Sequence, residues 1–315
     1  MNTPADPQLA MLHKLESTGT ELPLPLKRFR SEAGAATAIA AMEVAADRVL
    51  AACGLQSGHE RLRVSASELC RVCDIRLEGA PKRTAKRASR GLSSEKFSGH
   101  TGSLSLDPAQ PLIRLPAGID FVRARIAVGH EIGHYLLHRR ASGIDRFTAR
   151  LESTPAEEAI AEYAGRVLLM RHAYADTSYA SNVVLECMNA ARRADVTLHA
   201  AAARVGDPDV KSFGSVAGLI LWRINPAAAR DAALASRLTP SWHLCGGAFI
   251  PVGRCHARRS SLIAEVASSS DGNASASRTE EVEIGSLKGR FRVDAVAWGS
   301  SENGTRLVLS AFLEE

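Results

Sequence analysis

The alternation of apolar and polar positions divides the chain into a helical front and a strand-rich back. Residues 1–31 are polar and carry Pro4, Pro7, Pro23 and Pro25, so they read as a flexible tail. From Glu32 to Cys53 the Ala-rich run EAGAATAIAAMEVAADRVLAAC has apolar positions at helical spacing and stops before Gly54. SASELCRVC predicts a short helix capped by Ser65 or Ser67, and DIRLEG then alternates as a strand does. TGSLSLDPAQPLIRLPAG reads as a small hairpin turning at Asp107 to Pro111. Phe121 to Arg139 is the next helix, and residues 141–152 are a polar connection. STPAEEAIAEYAGRVLLM starts a further helix with Thr154 as cap, Pro155 at the first position and Glu157 placed for a capping box. Residues 181–205 read as helix, tight turn at Ala194–Val196, cap Thr197 and helix, the spacing of a helix-turn-helix.

Beyond Gly214 the character changes. VAGLILWRI, GGAFIPVG, SLIAEVA, RTEEVEIG, GRFRVDAVAWG and TRLVLSAFL are strand-like, and 268–278 reads as a flexible loop. The expected fold class is therefore α+β, in four parts. These are a tail (1–31), a helical domain with a small sheet (32–176), a helix-turn-helix segment (177–213) and a β-rich domain (214–315).

Composition changes this picture little. A hydrophobic fraction of 45% and a charged fraction of 23% are ordinary for a globular chain. No apolar run reaches the length of a membrane span, and the first residues lack a secretion signal, so a cytoplasmic location is expected. The net charge of +5 concentrates in PKRTAKRASR (81–90), read as a solvated loop rather than an anion site. The six cysteines read as reduced thiols, including the Cys70/Cys73 pair. His243, Cys245, Cys255 and His256 could meet across a hairpin, but one spacing alone is weak support for a zinc site.

The candidate chemistry lies in RIAVGHEIGHYLL. His130 and His134 are four apart, so one helix face can aim both imidazoles at one metal ion. Glu131 sits beside the first histidine, where its carboxylate can take a proton from a water activated by zinc. Two histidines and a glutamate in so apolar a helix are costly without partners. A catalytic zinc needs a third protein ligand. The extended pattern with a glycine and a third histidine downstream is absent, because Leu137 and Arg140 stand there. His138 lies too far along the same helix axis and reads as structural. The helix after Thr154 offers Glu157, Glu158 and Glu162. Glu157 has the capping box; Glu158 is the chosen ligand, with Glu162 either behind a ligand or its substitute.

HEIGHYLLH, followed by EEAIAEYAGRVLLM, resembles the ImmA/IrrE metallopeptidase family. That family's zinc helix reads H-E-[LI]-G-H-x-L-L-H and its next helix E-x-E-A-N-x-F-A-x-x-L-L-M-P. Aligning Leu-Leu-Met on Leu168, Leu169 and Met170 sets the zinc-binding glutamate on Glu158. Ile160, Glu162, Ala164, Gly165 and Arg171 depart from the pattern but leave the ligands intact.

The resemblance implies a zincin-like, gluzincin-type endopeptidase that holds Zn2+, with Mn2+ also able to fill such a site. Its expected partner is an XRE-type repressor, cleaved to release stress-response or mobile-element genes. The three-part order is similar to that of the family's radiation-response regulators, which implies a GAF-like last domain open to a small ligand. The alternative is a DNA-binding or ligand-sensing transcriptional regulator with a vestigial peptidase domain; direct DNA contact would fall to residues 181–205. Tyr135, Tyr163, His172 and Tyr174 are the side chains near in sequence that could support an oxyanion, with no choice among them.

Overall fold

The computed structural model describes residues 7–18, 21–55, 63–79, 102–107, 110–140, 143–144, 152–174, 182–207, 209–210, 213, 216–224, 238–245, 261–269, 274–284, 287–298 and 307–314. The fold is mixed α+β and divides into two compact units. One comprises residues 11–175 and 190–204, the other residues 1–10, 176–189 and 205–315. One boundary, 175/176, falls at the start of the expected helix-turn-helix segment, and two, 189/190 and 204/205, fall inside it.

The expected tail is helical. Helices α1 (Pro7–Ser17) and α2 (Leu24–Ala33) occupy it, and α2 buries Pro25, Leu26 and Phe29. Four prolines made the stretch look unstructured. Yet Pro25 sits in the first turn of α2, where a missing N–H costs nothing. Glu16 also accepts from the backbone N–H of Ala38 at 2.6 Å. The predicted helix from Glu32 is two helices. Gly34, at φ 62°, ends α2, and Thr37 accepts from Ala40 to open α3 (Ala38–Ala52).

Helix α4 (Ala66–Val72) is capped by Ser65. It leads to β1 (Arg76–Glu78), which pairs in parallel with β3 (Leu112–Arg114); β2 (Ser103–Ser105) pairs with β3 as the expected antiparallel hairpin. Among the described residues the sheet order is β1-β3-β2, so β2 is an edge. Helix α5 (Phe121–His138) is opened by Asp120, whose carboxylate accepts from Val122 and Arg123. From Ala124 to His138 every residue but His134 is buried, including the polar Arg125, His130, Glu131 and His138. Strands β4 (Arg139–Arg140) and β5 (Gly143–Ile144) form a two-residue ribbon. Helix α6 (Pro155–Met170) then packs along α5.

Helices α7 (Val183–Ala194) and α8 (Leu198–Val205) flank the predicted turn, with Asp195 at φ 56° and Thr197 accepting from Ala200. In α8 every residue but His199 is buried, Arg204 completely.

In the second unit β6 (Val216–Ile224), β7 (Leu238–Cys245), β8 (Ser275–Ile284), β9 (Leu287–Trp298) and β10 (Leu307–Glu314) form an antiparallel sheet of order β7-β6-β10-β9-β8. Phe291, Val293, Ala295 and Ala297 alternate along β9 onto one face, where they join Trp222, Phe312 and helix α9 (Leu262–Ser268) in a core. SLIAEVA is thus a helix, not a strand. Ser261 caps it, and Leu262, Ile263, Val266 and Ala267 recur at helical spacing, a pattern too short to separate from a strand by periodicity. The loop expected over 268–278 is shorter, because β8 begins at Ser275. GGAFIPVG lies outside the described residues.

Candidate metal centre

The centre depends on how closely two helices approach. Gly129 and Gly133 on α5 face Gly165, Ala161 and Ala164 on α6. A methyl group at Gly133 would lie 2.7 Å from the Ala161 Cα and 2.8 Å from its carbonyl oxygen. One at Gly129 would lie 3.1 Å from the Gly165 Cα. The GHEIGH and YAGR glycines therefore let the two backbones touch. Gly165, a departure from the family pattern, is part of that contact.

This approach brings Glu158 to the two histidines. His130 Nε2 lies 3.1 Å from His134 Nε2 and 3.3 Å from Glu158 Oε2, and His134 Nε2 lies 3.4 Å from Glu158 Oε1. The two imidazoles meet edge to face at 79°. Among the described residues these three form the one group of His, Cys, Asp and Glu side chains able to hold a metal ion. The donor set fits such an ion. Zinc–nitrogen and zinc–oxygen bonds of about 2.05 Å at tetrahedral angles give ligand–ligand separations of about 3.3 Å, and the separations here are 3.1 to 3.4 Å, with each imidazole against a different Glu158 oxygen.

The capping box decides the register of α6. Glu157 Oε2 accepts from the Thr154 N–H at 2.6 Å, and Thr154 Oγ1 accepts from Glu157 at 3.3 Å. Glu157 is consumed there, and Glu158 is the residue turned to α5. Glu162, one turn further on, lies behind His130, its Oε1 3.7 Å from Nδ1. It sits on the far side of the ring from Nε2 and favours a proton on Nδ1, leaving the Nε2 lone pair for the cluster.

Charge reinforces the geometry. Burial lowers the proton affinity of His130, but the Glu158 contact and the charges of Glu162 and Glu131 outweigh it, so its pKa lies above the usual histidine value. Burial likewise raises that of Glu158, yet hydrogen bonds from His130, His134 and Ser153 hold the carboxyl well below the usual range. Glu131 is buried on α5, and a methyl group placed on Gly102, just before β2, would lie 3.2 Å from its Oε1. Its carboxylate is thus held against the backbone leading into the edge strand.

Other sequence expectations resolve differently. His138 is buried at the end of α5 and stands outside the cluster. Two oxyanion candidates have their hydroxyls engaged elsewhere, and a third has an arginine over its ring. Tyr163 donates to Glu43 at 2.7 Å, Tyr174 donates to the Ala201 carbonyl at 2.6 Å, and the Tyr135 ring faces Arg139 at 5.6 Å. Cys53, Cys70, Cys73 and Cys187 are buried thiols outside any disulfide, and burial pushes the Cys70 and Cys73 thiols up to about 12. The basic loop, Cys255, His256 and the side chains of His243 and Cys245 lie outside the described residues. No helix among the described residues is long and apolar enough to cross a membrane.

No family model matches the chain, and no curated protein does. A solved structure described as a Mycobacterium tuberculosis transcriptional regulator is similar at 12% identity and a TM-score of 0.44, over 93% of this chain and 81% of that one. A likeness that remote fixes neither fold nor function.

Proposed function

We propose that this chain is a metal-dependent endopeptidase, with His130, His134 and Glu158 as metal ligands and Glu131 as general base. The observation that carries the reading is the convergence of these three side chains, with contacts of 3.1 to 3.4 Å among them and Glu131 on the same helix. When bound, zinc supplies Lewis acidity that polarises a carbonyl and makes water acidic near neutral pH. Glu131 takes the proton released by the attacking water and returns it to the departing amine. The buried walls of α5 and α6 limit bulk water around it. The short strand β2, an edge beside Glu131 among the described residues, supports an extended substrate chain pairing with it. Following the family resemblance, the substrate is an XRE-type repressor and the metal is zinc, with manganese the substitute.

The test is cleavage of a co-encoded XRE-type repressor by zinc-loaded protein beside its Glu131→Gln variant. Cleavage by the parent, with metal retained and cleavage lost in the variant, is expected. No cleavage by the loaded parent, or full cleavage by Glu131→Gln, contradicts the reading.

A second reading, a ligand-sensing regulator that holds metal without cleaving, is supported by the separate antiparallel-sheet unit, the part that the resemblance makes GAF-like. The burial of α8, Arg204 included, speaks against DNA contact through that helix. Zinc retained by the parent with no cleavage of any co-encoded repressor would favour this second reading, and cleavage that Glu131→Gln abolishes would favour the first.

A further inference from the structure

The α7–α8 segment has the spacing of a DNA reader, yet its second helix is buried. Its turn is engaged elsewhere. Four successive carbonyls at the end of α7 each accept an arginine N–H. Arg63 donates to the Arg192 and Arg193 oxygens at 3.0 and 2.9 Å. Arg125 donates through Nη1 to the Ala194 and Asp195 oxygens at 2.6 and 2.8 Å. These are the groups a helix leaves without intrahelical partners, and they carry its partial negative charge.

Arg125 belongs to α5, the helix of His130 and His134. It is 1% exposed, and its Nε donates to the Val64 oxygen at 2.9 Å. One guanidinium thus binds α5 to the entry of α4 and to the α7–α8 turn, all within one unit. The planar fork of donors suits several acceptors at fixed angles, which a lysine ammonium does not reproduce.

We propose that the α7–α8 turn is a brace for the metal-binding helix, and that Arg125 is the positioning residue linking them. The inference rests on the metal-centre reading. The argument is geometric. Glycine and alanine contacts set how far α5 lies from α6, and Arg125 adds fixed partners on two other segments, at Val64 and at Ala194 and Asp195. His130 follows Arg125 by five residues, about 7.5 Å along a rigid helix. An anchor there fixes the axial position of both imidazoles against Glu158 of α6. Asp195, in the left-handed region at φ 56°, sets the direction of the accepting carbonyls.

The experiment measures zinc affinity of the full chain by competition with a chromophoric chelator, beside circular dichroism and thermal unfolding of the metal-free protein. Arg125→Ala removes the anchor. Asp195→Val turns the same carbonyls by straining the left-handed residue, and Asp195→Gly, which tolerates that conformation, is the control. Folded Arg125→Ala and Asp195→Val should bind zinc about 10-fold more weakly or worse, as when groups that orient metal ligands are removed. Asp195→Gly should keep parental affinity, and millimolar guanidinium should restore part of the loss in Arg125→Ala alone. Parental affinity in folded Arg125→Ala overturns the proposal, whatever the change in melting temperature. Should Arg125→Ala not fold, parental affinity in Asp195→Val overturns it. Failure of the unsubstituted protein to bind zinc overturns the metal-centre reading itself, and is seen before any variant is made.

Discussion

Gly133→Ala tests whether helix approach controls the centre. The added methyl group would sit 2.7 Å from the Ala161 Cα, 2.8 Å from its oxygen and 2.9 Å from the Ala164 Cβ. Carbon atoms rest at roughly 3.5 to 4.0 Å, so α5 and α6 must part by about 1 Å. The obstacle is backbone and cannot rotate away. A shift of that size carries the Glu158 oxygens from 3.3 and 3.4 Å to about 4.3 Å from the imidazole nitrogens. That is about 1 Å beyond a tetrahedral edge. Overpacking costs about 1 to 3 kcal/mol, against which alanine regains about 1 kcal/mol of helix propensity. The variant should therefore fold with a modest loss of stability and lose zinc affinity by at least about 10-fold, comparable to the loss of a group that orients a ligand. Chelator competition and thermal unfolding on one preparation read both quantities. Gly129→Ala, meeting Gly165 at 3.1 Å, should show the same effect more weakly. Unchanged zinc affinity in folded Gly133→Ala would refute the argument that helix contact sets the ligand spacing.

Further expectations follow from charge and burial. Because the carboxylates around His130 raise its pKa, metal must displace a proton there; zinc affinity should fall about tenfold per pH unit below that pKa and level off above it, as titration across pH 5 to 8 would show. Affinity that does not change with pH would contradict this. Thiols held near pKa 12 are almost wholly protonated at pH 8, so Cys70 and Cys73 should resist a thiol reagent until denaturant is added; rapid labelling in native buffer would contradict their burial.

Much of this was legible in the sequence because short-range chemistry wrote it there. Thr154, Pro155 and Glu157 mark the start of α6 through bonds spanning three residues, and that cap leaves Glu158 to face the two histidines. The His130/His134 pair needs only a helix to be aligned. The rest depended on distant segments. Nothing local reveals that Gly133 exists to meet Ala161, that Tyr163 is spent on Glu43, or that Arg125 reaches carbonyls some seventy residues on. The α7–α8 spacing predicts two helices around a turn, which the fold contains, but burial of α8 is a tertiary property that spacing does not carry. The proline-rich first residues misled because proline in a first helical turn looks, locally, like proline in a loop.

The central claim is that His130, His134 and Glu158 hold one metal ion. Metal content by mass spectrometry, after zinc loading and desalting of the protein and its Glu158→Ala variant, tests it most directly. About one zinc per chain in the parent and far less in the variant is the expected result, as a three-ligand site requires. No zinc in the parent, or equal zinc in both, would contradict the account.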